Sequence, residues 1–171
     1  MGLKISRVDL KKSGKEVFIS FEQSAAAKGG ELVDSDNKIL IKKAPHEDLV
    51  NKFIKMVPHL MFLCQFHTPD ALSQQYFDDY AFVDEPRFKG INVTGIVVSG
   101  KDSDVITLIG TKTTSKKQVV SFSSPPVWLD DNAENRYELQ DILKSNFSAL
   151  MDEAEKFFKG KYAAEEQAAL F

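Results

Sequence analysis

A chain of 171 residues can form one domain that buries roughly 70% of the surface its unfolded form exposes, so it needs no disulfide or metal staple. Its 22 basic and 25 acidic side chains leave a net charge of −3, which removes any global electrostatic case for gripping nucleic-acid phosphates and leaves only local basic patches. The single cysteine, Cys64, excludes an internal disulfide and fits a reducing compartment; no run approaches 18 apolar residues and MGLKISRVDL has no apolar core, so a cytoplasmic protein is expected. Met1-Gly2 with Ser6 formally fits an N-myristoylation pattern, but it lies in an expected first strand and is set aside.

Residues 3–10 and 16–22 read as a hairpin about Ser13-Gly14. In its second strand Val17, Ile19 and Phe21 share a face by the two-residue period. In the first, Leu3 and Ile5 keep one phase and Val8 and Leu10 the other, which predicts a bulge near Ser6-Arg7. Residues 25–30 read as a loose loop, Asp34-Ser35-Asp36-Asn37 as a turn, and residues 38–42 as a strand. Pro45 opens a helix with Glu47 and Asp48 at its positive end and a stripe of Leu49, Phe53, Met56 or Val57, and Leu60. Pro58 interrupts that stripe. Residues 59–66 fit a second helix, the preferred reading, or a strand with Leu60, Phe62, Cys64 and Phe66 on one side; periodicity leaves both open.

Residues 70–80 read as a short helix or turn, and Asp84-Glu85-Pro86 breaks the chain. Three β-rich runs follow, 90–99, 104–113 and 117–123, dense in Val, Ile, Thr and Phe and separated by short turns, as in an antiparallel meander. Pro125-Pro126 is expected to end the sheet, because proline has no amide hydrogen to give to a ladder. Residues 130–134 supply caps and first-turn acid for the longest helix, 134–159, which Gly160 stops. The fold expected is α+β: one domain over 1–160, with an antiparallel sheet built from the N-terminal hairpin and the central meander. Two or three helices, including the long C-terminal one, cover one face, and 161–171 form a flexible tail.

No catalytic constellation stands out. His46, His59, Cys64 and His67 fall within one window, but only Cys64 and His67 have a zinc-like spacing, so buried thiol and ordinary histidines are expected and no metal or cofactor is assigned. Asp78, Asp79, Asp84 and Glu85 invite a nuclease reading. The Pro69-Asp70 and Glu85 arrangement then requires a lysine where Arg87 stands, and arginine cannot make that compact contact or give up its proton. Phosphate-loop and nucleophile-elbow spacings are absent from the sequence. Phe18, Phe21, Phe88 and Phe122 on expected strands could form a base-stacking platform, with core packing as the plainer account. Lys11, Lys12 and Lys15 crowd one turn and Lys112, Lys116 and Lys117 another. Such lysines ordinarily solubilise turns and sheet edges, and they are also the residues a nucleic-acid binder would use.

The sequence closes on Gln167-Ala168-Ala169-Leu170-Phe171. This Gln-x-x-Leu-Phe pattern resembles the pentapeptide by which bacterial polymerases and repair proteins grip the sliding clamp, departing from it at Ala168, where leucine is usual. Gln, Leu and Phe coincide at three set positions with a chance on the order of 10⁻⁴. Leu170 and Phe171 suit an apolar pocket on a partner, and Gln167 its rim; the alternative is that both fold back onto the sheet. The layout of residues 88–171 is similar to small uncharacterised proteins of tailed bacteriophages and prophages. It runs meander, SSPPVWLDD, long acidic helix, a Lys-Gly-Lys-Tyr-Ala-Ala step and a Leu-Phe ending. That resemblance implies a phage origin, a host-cell cytoplasmic setting and a context of DNA replication or recombination, and it supplies no catalytic residues. The leading expectation is a non-enzymatic accessory protein docked on a host protein, the sliding clamp as candidate, through Gln167, Leu170 and Phe171. The alternatives are a single-stranded nucleic-acid binder with an OB-like or annealing-type sheet that uses the six lysines, and a phage protein that sequesters a host defence factor. No membrane partner is expected, and a homo-oligomer stays open.

Overall fold

Apolar–polar alternation builds the first two strands, β1 (Leu3–Lys11) and β2 (Glu16–Ala26), which pair antiparallel around the Lys12–Lys15 turn. The ladder slips between Ile5 and Arg7, so the bulge lies where the change of apolar phase puts it. A computed structural model describes residues 3–26, 29–69, 86–100, 104–130 and 136–164. β3 (Leu32–Ile41) pairs with β2 over ten consecutive residues, from Val17 opposite Ile41 to Ala26 opposite Leu32. It starts six residues before the strand expected at 38–42, and the supposed turn at Asp34–Asn37 lies inside it. The turn-forming side chains are satisfied along the strand instead: the Ser24 hydroxyl donates to Asp34 at 2.6 Å, and Ser35 donates to the Gln23 carbonyl at 3.3 Å.

The second meander is β4 (Ile91–Ser99), β5 (Val105–Thr113) and β6 (Val119–Ser123). It joins the first where β4 pairs with β1, Val8 opposite Ile96, giving the order β3-β2-β1-β4-β5-β6. The sheet does not end at the prolines. β7 (Val127–Trp128) returns to β5, and Pro125-Pro126 span the gap between β6 and β7. The ladder skips them because they lack amide hydrogens, and Ser124 fills in: its N–H donates to the Leu108 carbonyl at 2.8 Å and its hydroxyl accepts from the Leu108 N–H at 3.0 Å.

The α-helices among the described residues are α1 (Glu47–Ile54), α2 (Val57–Leu63) and α3 (Gln140–Phe158). Pro45 does not open α1; it bridges to Tyr162, and His46 caps the helix by accepting the Asp48 N–H at Nδ1, 3.1 Å. Of the two readings for 59–66 the helix holds through Leu63, with Pro58 in its first turn where a missing N–H costs nothing. α3 begins at Gln140, later than the expected 134, after the turn in which the Gln140 N–H donates to the Tyr137 carbonyl. Of the acidic segment expected to cap it, 130–134, all but Asp130 lies outside the described residues, as do residues 70–85.

All three helices lie on one face. Leu49 and Phe53 of α1, Val57 and Leu60 of α2, and Leu143, Leu150, Ala154 and Phe157 of α3 meet Val8, Val17, Ile19, Ile96, Ile106 and Leu108 of the sheet in one buried cluster. Gly110 lets α2 come close, because a Cβ there would strike Leu60 Cδ2 and the Asn92 carbonyl. The protein is α+β as expected, with a one-sided sheet.

Candidate nucleic-acid interface

Strand pairing decides where the lysines go. β1 ends at Lys11 and runs antiparallel to β4, whose first residue Ile91 faces Lys112 near the end of β5. The β1–β2 turn and the β5–β6 turn therefore project from the same end of the sheet. Lys11, Lys12 and Lys15 come from the first, and Lys112, Lys116 and Lys117 from the second, all six exposed. Neighbouring strands sit about 4.8 Å apart, so the two turns are separated by about 15 Å. The structure adds two exposed lysines, Lys42 just past β3 and Lys89 just before β4. They escape a reading of turn clusters because each lies outside the two lysine turns, Lys42 beside Lys43 and Lys89 two residues after Arg87. Together the eight form a rim about 24 Å long across six strands.

Among the described strand residues, the carboxylates of Glu16 and Asp9 lie at this end. Glu16 pairs with Lys12 at 3.4 Å, and Asp9 with the Arg7 guanidinium at 2.6 Å and Lys11 at 3.9 Å. Asp9 sits buried on the open face because Gly95 of β4 leaves room for its carboxylate. At the far end of the sheet the exposed charges are mainly acidic: Glu22, Glu31, Asp34, Asp36, Asp104 and Asp130, with Lys4 among them. A net charge of −3 thus conceals a separation of charge along the strands.

The four phenylalanines do not make a stacking platform. Phe21 and Phe88 are buried under the helices, and Phe122 lies on the covered face with its ring edge against Phe66, 5.7 Å between centroids. Phe18 is half-buried on the open face, opposite Asp9 and Leu40. The histidines and the cysteine go to separate places. His46 caps α1, His67 Nε2 lies 3.1 Å from the Arg87 carbonyl oxygen, and Cys64 Sγ points at the Ser123 carbonyl, 3.7 Å, with its thiol pKa raised by burial. Among the described residues, no three His, Cys, Asp or Glu gather as a metal site. Asp70, Asp78, Asp79, Asp84 and Glu85 lie outside the described residues, as do Gln167, Leu170 and Phe171.

His59 is fully buried in α2 between the Tyr137 hydroxyl, 2.9 Å from Nδ1, and Asn146 Nδ2, 3.0 Å from Nε2. Burial holds its pKa down to about 3, and burial with the neighbouring Glu138 charge raises that of Tyr137, so both stay neutral. This network ties α2 to α3. A second tie closes the body past its expected end at 160. Lys161 reaches Asp48 at 2.7 Å and Glu153 at 3.0 Å, and the Ala163 N–H donates to the Ala44 carbonyl at 2.9 Å. The bond from Lys161 lowers the Asp48 pKa. For Glu153, burial opposes the charge and the bonds from Lys161 and Lys156 outweigh it.

Fold and rim together define a one-sided antiparallel sheet with a lysine-rich end. No family model matches the chain, and neither a curated protein nor a solved structure matches it. Among the described residues no helix is long and apolar enough to cross a membrane.

Proposed function

We propose that the protein is a non-enzymatic accessory of DNA replication or recombination that holds single-stranded nucleic acid by its phosphates along the lysine rim. The observation that supports this is the convergence of two lysine turns, distant in sequence, on one end of the sheet, joined there by Lys42 and Lys89. The three described helices lie on the sheet and are not free to enter a major groove, and the four phenylalanines offer no shared stacking surface. Binding would then be phosphate-led, indifferent to base sequence and steeply dependent on salt.

The test is fluorescence anisotropy with a labelled single-stranded oligonucleotide across a salt series, beside the matching duplex. Each phosphate contact contributes about −0.7 to the slope of log K against log salt for a single strand. Changing Lys12, Lys15, Lys116 and Lys117 together to glutamine should flatten that slope by about 3, while Lys4→Gln at the acidic end leaves it as it is. An unchanged slope in the four-site variant would refute the rim.

The tail sequence favours a second, compatible role in which Gln167, Leu170 and Phe171 dock on a host sliding clamp. A pentapeptide alone holds such a partner on the order of micromolar to tens of micromolar. Deleting Leu170 and Phe171 should abolish co-purification with the clamp; undiminished retention would retire that role.

A further inference from the structure

The outermost strand, β3, lacks most of the devices that usually blunt a sheet edge, and the charges it carries, Asp34, Asp36 and Lys38, are of both signs. It runs ten residues without proline or bulge, pairs among the described residues on one side only, with β2, and exposes residues of both its faces. Leu32 is 78% exposed, Val33 49%, Leu40 45% and Ile39 40%. β6, the other edge, is half as long and carries no charge to set a register.

We propose that β3 pairs antiparallel with β3 of a second copy of this chain, about a two-fold axis through Asn37 perpendicular to the sheet, making one continuous sheet with both helical layers on the same side. The charges select this register. With the axis at Asn37, Asp36 stands opposite Lys38 of the second copy, and the pair recurs by symmetry. An axis at residue 36 sets Asp36 against itself, and one at residue 38 sets Lys38 against itself. On the covered face the same register brings Val33 beside Ile41 of the second copy, an apolar pair made twice. The acidic start of one strand, at Glu31 and Asp34, then lies along the basic end of the other, at Lys42, so the two separations of charge run head to tail. This contact shares Lys42 with the nucleic-acid reading and does not depend on it.

Sedimentation velocity of the full chain at tens of micromolar should give the mass of two chains. Asp36→Lys and Lys38→Asp should each sediment as single chains, because like charges then face each other on both sides of the axis. Mixed in equal amounts they should form a heterodimer, since each supplies the charge the other lacks. Asn37→Cys should form an intermolecular disulfide on mild oxidation and Val33→Cys, which faces Ile41, should not. A wild-type chain that stays single, a single-charge variant that still dimerises, or a mixture that fails to pair would each overturn the proposal.

Discussion

At the scale of one side chain, His59 has the clearest consequence. It is neutral in the fold, with a pKa near 3 against 6.5 when exposed, so between those values the unfolded chain binds the extra proton. Its contribution is whole above pH 6.5 and is lost as pH falls toward 3, at up to about 1.4 kcal/mol per pH unit. The urea midpoint of the wild type should therefore fall between pH 6 and pH 5, above the range in which carboxylates titrate, and that of His59→Gln should stay level. Nothing in the sequence separates this histidine from His46 or His67. Its burial follows from the position of α2 under α3, and its partners Tyr137 and Asn146 lie 78 and 87 residues away.

At the scale of elements, α2 rests on β5 through Leu60 over Gly110. Gly110→Ala should cost about 1–3 kcal/mol of unfolding free energy in denaturant titration, because the added methyl meets strand backbone on one side as well as a movable side chain on the other. Elements with a strong period were legible in advance: the bulge in β1, the three long meander strands and the body of α3. Those that differ owe their form to neighbours. Asp34 to Asn37 carry turn chemistry, yet they lie in a strand because β2 and its side chains satisfy them. Pro125-Pro126 read as a stop because the return of β7 to β5 is a long-range pairing that no local pattern announces.

For the whole molecule, the fold class could be read from the order of strands and helices, whereas the rim could not. Each lysine turn alone is an ordinary solvated turn; only the pairing of β1 with β4, which joins residues some ninety positions apart, brings the two to one end. Composition even argued the other way, since an acidic total averages over a sheet whose two ends differ in sign. Salt should accordingly weaken the proposed nucleic-acid binding far more than the small net charge implies.

The bond from the Ala163 N–H to the Ala44 carbonyl anchors the chain two residues from Lys42. Eight residues remain after it, and covalent geometry limits their span to about 28 Å at full stretch. A clamp grasping Phe171 would thus be leashed beside any strand lying on the lysines, at an effective concentration of order millimolar, and two weak grips would act as one durable one.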